Sequence, residues 1–271
     1  MDWSSRQRRN GDQSDECILM KVCVLSSGSK GNTTFIETSK TKILIDCGNS
    51  CKYILTKLAE IDVYPSDIDA ILITHVHADH IKGLQVLSKQ IGAMVYMTEK
   101  MYPYLDYVKN YTFIEDNHFK IKDMEIEVIK TSHDAEDSVG YIISKGNKSV
   151  VYVTDTGYIN KKYFDTLSNR NIYIFESNHD IEMLSNGRYP FELRQRILSD
   201  KGHLSNYDSA KYLAKFIGDN TKKIILAHLS EENNTPELAL DSLNERLKKE
   251  KIDFSDIIIA KQNKETELIK I

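Results

Sequence analysis

The run His75-Val76-His77-Ala78-Asp79-His80 overlaps the end of a nearly all-apolar stretch, Ala70 to Val76, and it constrains this chain more than any other feature. An apolar run without alternation marks a strand covered on both faces. In extended chain, side chains two apart share a face, so His75 and His77 can reach one cation, while a turn into a helix redirects Asp79 and His80 toward a second. A single histidine is more often a core or solvated residue than a ligand. Four donors within six positions at a strand end are a metal site by their chemistry. The fold must therefore close further donors over the end of this strand.

Those donors are sought at other strand ends. His133 lies in the polar loop TSHDAEDSVGY after the run IEVIK, His228 closes IILAHLS, and Asp155 closes VVYVTD. A carboxylate at the end of a core strand is costly to bury unless it meets a cation. Taken singly, each of the three can be a cap or a surface polar group; taken with the first motif, they read as ligands. Asp46, after KILI, and Thr74, beside His75, are placed to hydrogen-bond behind the ligand loop, although Asp46 can equally cap the turn before Gly48.

The rest of the chain supplies an α/β frame. VCVLSS, TTFIET and KILIDC read as adjacent antiparallel strands; Ser50 caps a helix through Glu60; a helix runs from about His80 to Gln90, then come AMVYMTE and paired short strands from Phe113 to Ile129. GYIIS, SVVYVTD, IYIFESN, KIILAHL and DIIIAKQ continue the strands, with helices from Phe191 to Phe216, broken near Gly202, and from Pro236 to Lys249. Strands early and late with helices between predict an αββα sandwich, two packed mixed sheets with helices on the outer faces. Residues 1–19 are polar and aperiodic and are expected to form a disordered leader ahead of one domain spanning 20–271.

Composition narrows the setting. With 41% apolar and 28% charged residues and only 4 Pro, the chain is an ordinary globular protein, neither disordered nor fibrous. A net charge of −4 gives no global field toward nucleic acid or anionic membrane, so any polyanion must be gripped locally. No apolar run approaches the ~20 residues that span a bilayer, and the four cysteines, Cys17, Cys23, Cys47 and Cys51, form no CxxC pair. A reducing cytoplasm without membrane attachment is the expected location.

HxHxDH followed by a lone His, a lone Asp at a strand end and a last His, in that order, resembles the metallo-β-lactamase superfamily, and the resemblance covers nearly everything from Met20 onward. SSGSKGN at Ser26 to Asn32, ESNHD at Glu176 to Asp180, GHLSN at Gly202 to Asn206 and AHLSEENN at Ala227 to Asn234 are similar to its YycJ (WalJ) group of bacterial DNA exonucleases. The resemblance implies one ion on His75, His77 and His133, a second on Asp79, His80 and His228, and Asp155 bridging them. It further implies a metal-dependent phosphodiesterase, a 5′-to-3′ exonuclease on double-stranded DNA in which a hydroxide bridging the two ions attacks phosphorus. Two divalent cations less the carboxylates Asp79 and Asp155 leave about +2, or about +1 with a bridging hydroxide, which suits an anionic phosphate better than a neutral amide. Zinc β-lactamases of the superfamily typically lack a bridging Asp at this place, so Asp155 speaks against antibiotic hydrolysis. The donor set of nitrogen and oxygen without thiolate suits Mn or Zn, with Fe also compatible.

His203 and His179 stand in the polar contexts GHLSN and NHD and are candidates to protonate the leaving group or hold the phosphate. Substrate contacts are expected from Ser27, Lys30 and Asn32 in the glycine-containing loop, whose glycines a tight hairpin alone explains, and from Arg188, Arg194 and His203 as a local strip for the DNA backbone near a 5′ end. Two other functions share these ligands. An RNA-processing nuclease would do so, but fewer than 75 residues separate Asp155 from His228, too few for the extra domain of the RNA-degrading members. A glyoxalase-type thioesterase would not need the GHLSN and ESNHD loops.

Overall fold

In the computed structural model, which describes residues 20–271, the strands form two seven-stranded sheets. The leader expected over 1–19 lies outside the described residues. The first sheet runs β1 (Lys21–Ser26), β2 (Thr33–Glu37), β3 (Lys42–Ile45), β4 (Ala70–Leu72), β5 (Met94–Met97) and β6 (Tyr111–Phe113). The second runs β7 (His118–Ile121), β8 (Met124–Lys130), β9 (Val139–Lys145), β10 (Lys148–Val153), β11 (Ile172–Glu176), β12 (Lys223–Ala227) and β13 (Ile257–Ile259). A final β14 (Ile269–Lys270) returns to pair with β1. Each sheet starts antiparallel, β1 to β3 and β7 to β10, and continues parallel, β3 to β6 and β10 to β13.

Parallel neighbours need long crossovers, and most of these are helical. Helix α1 (Cys51–Glu60) joins β3 to β4, and α2 (Ala78–Ile81) and α3 (Leu84–Ile91) join β4 to β5. In the second sheet α4 (Phe164–Leu167) lies between β10 and β11, then α5 (Ile181–Asn186), α6 (Phe191–Leu198) and α7 (Asn206–Phe216) precede β12, and α8 (Pro236–Glu250) precedes β13. Ser50 caps α1 as its sequence predicts, its side chain accepting from the Tyr53 amide at 3.2 Å.

The alternation of side chains along the second sheet decides which face each residue serves. Val150, Tyr152, Ile172, Ile174, Ile225 and Ala227 join the core between the sheets with Phe35, Ile43 and Ile71 of the first. Their neighbours Val151, Val153, Tyr173, Phe175, Ile224 and Leu226 face the other way, against Leu213 and Phe216 of α7 and Leu243 and Leu247 of α8. Both faces are covered, which is why these runs read as continuously apolar: the expected αββα sandwich.

Local departures from the sequence reading have identifiable causes. The ladder of β4 ends at Leu72 instead of continuing to Val76, because the Thr74 carbonyl accepts from the Val139 amide of the second sheet at 2.9 Å. The chain thereby crosses toward that sheet and carries His75 with it. The helix expected over His80 to Gln90 is two helices split at Gly83, whose amide donates to the Cys47 carbonyl at 2.8 Å and where a Cβ would lie 2.3 Å from the Asn49 carbonyl oxygen. Helices α4 and α5 and strand β14 are short and were not legible. Cys23, Cys47 and Cys51 are buried free thiols. Among the described residues no helix is long and apolar enough to cross a membrane.

Candidate metal centre

The seven residues read from the sequence as ligands converge at one end of the sandwich. Donor atoms of His75, His77 and His133 lie within 4.8 Å of one another, as do those of Asp79, His80, Asp155 and His228. Topology causes this. Parallel strands end on the same edge of a sheet, so Asp46 after β3, His75 after β4, Asp155 after β10, Glu176 ending β11 and His228 after β12 are delivered together. Three of these exits use a left-handed backbone on a non-glycine residue, Asp46 (φ 59°), Asp155 (φ 56°) and His228 (φ 56°). Each costs about 1 kcal/mol or more and persists only where surrounding structure enforces it.

Hydrogen bonds fix which nitrogen each histidine presents. Asp46, fully buried, accepts from the Thr74 amide and hydroxyl, both at 2.8 Å, and from His80 Nδ1 at 2.7 Å. Thr74 Oγ1, having donated to Asp46, can accept from His75 Nδ1 at 3.1 Å. His133 Nδ1 donates to the Gly202 carbonyl at 3.1 Å and His228 Nδ1 to Glu176 Oε1 at 2.9 Å. Four Nδ1–H groups thus point outward to acceptors, leaving Nε2 of His75, His80, His133 and His228 facing inward. His77 is reversed: its Nδ1 lies 3.2 Å from His133 Nε2.

The inward groups need a cation. His75 Nε2 and Asp155 Oδ2 are buried without a hydrogen bond, the latter 3.2 Å from His80 Nε2. Burial and then the neighbouring His80 hold His75 well below the ordinary histidine range. Burial should also lower His80, but Asp155, Asp46 and Asp79 outweigh it and hold it well above. His228 is likewise carried against burial, by Asp155, Asp79 and Glu176, to about 10. Burial pushes Asp79 and Asp155 upward, yet the same histidines keep both carboxylates ionised far below their usual range. Three carboxylates around inward nitrogens bind protons where a divalent ion would bind more strongly, and the donor set fits such an ion.

A third group, Asp155, Glu176, His203 and His228, was not legible as a unit. Glu176 is fully buried; its Oε1 accepts from both His203 Nδ1 (2.8 Å) and His228 Nδ1, and its Oε2 accepts from the Thr156 and Leu204 amides at 3.0 Å. Burial raises it, but His203 and His228 bring it down to about 2. Its signal was available: a carboxylate ending the apolar run IYIFE, as Asp155 nearly ends VVYV. The ring of His203 stands 5.0 Å from that of His133 and 5.3 Å from that of His228, with part of its surface open. His179 is buried instead, both ring nitrogens without a partner, and burial pushes it down to about 4.

The remaining sequence candidates fall into two sets. Ser27 and Asn32 are buried: Ser27 Oγ accepts from the His228 amide at 2.8 Å, and Asn32 Nδ2 donates toward His80 Nε2 at 3.0 Å and Asp79 Oδ2 at 3.3 Å. They hold ligands. Lys30 pairs with Glu231 at 2.6 Å, Arg194 donates to the Ser185 carbonyl, and Arg188 is exposed.

Comparison with known proteins places this geometry. Residues 41–229 match the family model described as the beta-lactamase superfamily domain. The chain is 44% identical over 231 residues to exodeoxyribonuclease WalJ of Streptococcus pneumoniae, covering 82% of this chain and 86% of that protein. It is 40% identical over 233 residues to exodeoxyribonuclease YycJ of Bacillus anthracis, covering 83% and 88%. Among solved structures, the metallo-beta-lactamase fold protein YhfI from Bacillus subtilis superposes with a TM-score of 0.72 at 18% identity, covering 91% of this chain and 98% of that one, which speaks to fold alone.

Proposed function

Because the chain belongs to the beta-lactamase superfamily, with curated exodeoxyribonucleases as relatives along most of its length, we propose that it is a divalent-metal-dependent exodeoxyribonuclease. The observation that carries this reading is the pair of adjacent donor groups with Asp155 beside them, in which the Nδ1 hydrogen bonds of His80, His133 and His228 turn Nε2 toward the centre. In it, His75, His77 and His133 would hold one ion and Asp79, His80 and His228 a second, with Asp155 within reach of both groups. When bound, the ions, Mn or Zn with Fe also compatible, supply Lewis acidity toward a phosphate and a coordinated water ionised near neutral pH.

The chain's own side chains do the rest. Glu176 accepts from Nδ1 of His203, so that the imidazolium form of His203 would present an Nε2 proton to a phosphate oxygen or to the departing oxygen of the cleaved ester, returning to the neutral Nδ1–H tautomer once the proton is given. The same Glu176 oxygen locks His228, so the group that donates and a ligand share one support. His203 is favoured over His179 for this role because His179 is buried and neutral. Contacts to the DNA backbone are assigned to Arg188, Arg194 and Lys30; Arg188 is exposed, whereas Arg194 and Lys30 would have to leave the Ser185 carbonyl and Glu231.

The substrate is proposed to be double-stranded DNA degraded from a 5′ end. Duplex DNA, single-stranded RNA and a glutathione thioester, the duplex labelled at either end, are to be incubated with the protein plus Mn or Zn. Early release of the 5′ label as mononucleotide supports the reading; early release of the 3′ label reverses the polarity. Turnover of RNA alone or of the thioester alone replaces it with the RNA-processing or glyoxalase-type alternative.

A further inference from the structure

Beside the centre, outside His77 and His133, lies a cavity of about 550 Å³ whose other walls include Val76, Tyr104, Asp134, Glu136 and Lys201. That volume is within the roughly 300–1,000 Å³ usual for a small-molecule pocket. Tyr104 ends a 3-10 turn, Glu99–Tyr104, and is 54% exposed, with no ring contact, hydrogen bond or ion pair among the described residues. Its neighbour Tyr102 shows what a structural tyrosine does here: its ring packs 5.1 Å from Tyr111 and 5.8 Å from Phe113. Lys201 is exposed and forms no ion pair among the described residues, whereas the adjacent Arg196 is engaged by Asp134.

The charges around this cavity are sorted. Lys201 makes one wall cationic, where a phosphate is welcome, while the Asp134 carboxylate that lines the wall beside His77 and His133 is already paired with Arg196. The Glu136 carboxylate repels a second phosphate but can accept from a base's amino group, and the unpartnered Tyr104 ring offers a face on which any base can stack. A ligand with one anionic end and one flat neutral end fits this wall. We propose that the cavity is a nucleoside subsite: the base of a nucleotide flanking the scissile phosphate stacks on Tyr104, and Lys201 neutralises the adjoining backbone phosphate. This rests on the nuclease reading above and adds to it the part of the substrate that is not phosphate.

The test is steady-state degradation of end-labelled duplex DNA in which one nucleotide flanking the first scissile bond, on either side in turn, is an abasic tetrahydrofuran residue. One of the two abasic substrates is expected to lower kcat/KM of the unsubstituted protein by about tenfold, the scale of one lost base stack. Tyr104→Ala is expected to lose the same factor on ordinary DNA and nothing more on that abasic substrate, while Tyr104→Trp restores turnover. Lys201→Ala should weaken all DNA substrates alike and reduce the salt dependence by about one counterion. Equal rates for Tyr104→Ala and the unsubstituted protein on ordinary DNA, or losses that multiply on the abasic substrate, overturn the subsite while leaving the nuclease standing. Failure of the unsubstituted protein to degrade any DNA overturns the nuclease reading, and the subsite with it.

Discussion

Asp155 combines a left-handed backbone with nearly full burial of a carboxylate whose Oδ2 faces His80 Nε2 at 3.2 Å, two costs at one position. No packing role explains them together, and a role in holding cations does. Asp155→Ala is therefore expected to lower kcat by roughly a thousandfold or more while leaving the far-ultraviolet circular dichroism unchanged. Near-normal turnover would remove the two-ion scheme. Gly48 makes the complementary case, since a Cβ there would lie 1.6 Å from the Asp79 carbonyl oxygen, in a strip where Asn32 N also donates to that oxygen at 2.8 Å. Gly48→Ala must displace the segment bearing Asp79 and His80. The expected result, read by metal titration, is weaker metal affinity together with a stability loss of about 2 kcal/mol; unchanged affinity would mean that the loop yields without moving its ligands.

Elements are tied together away from the centre by a half-buried carboxylate. Asp123, in the turn between β7 and β8, accepts from Thr41 Oγ1 at 2.5 Å and Thr38 Oγ1 at 2.7 Å, both beside the β2–β3 turn, and pairs with Lys145 of β9 at 3.3 Å. It thus links the two sheets. Burial pushes Asp123 up, but the Thr41 and Thr38 hydroxyls and Lys145 bring it down to about 2. A carboxylate depressed in the folded state contributes stability fully present above the unfolded value near 4 and lost as pH falls toward 2. Asp123→Asn is expected to lower Tm at pH 7 and to flatten the loss of Tm between pH 4 and 2, by less than the full shift implies because water screens part of the site. Identical acid melting curves would show that the carboxylate carries no such linkage. The elements misread from sequence were those decided by neighbours: Gly83 splits a helix whose local pattern is continuous, and β14 exists because β1 offers it an edge.

For the molecule as a whole, Asp79 and Asp155 meet the inward nitrogens of His75, His80, His133 and His228 at one end of the sandwich, where the carboxylates hold protons on His80 and His228 that a divalent ion would displace. Binding to the folded state alone adds RT ln(1 + [L]/Kd), about 2.7 kcal/mol at a hundredfold excess over Kd. Chelation is accordingly expected to abolish activity and lower Tm by several degrees, both restored by Mn or Zn, with calorimetry and a nuclease assay as readouts. A Tm indifferent to chelator and metal would argue against a resident cation.

Much of this protein is written in local pattern. Unbroken apolar runs identify strands covered on both faces, and donors at the ends of those runs identify the centre, because a polar group at the end of a core strand has few uses other than function. Residues such as His75, His77 and Asp79 needed only the period of an extended chain and a turn. Glu176, Tyr104 and the separation of Ser27 and Asn32 from the open surface depend instead on which strand ends meet and which side chains already have partners. Those are properties of long-range contacts, fixed by two sheets closing on one another; a sequence specifies them through the sum of its packing and displays them at no single position.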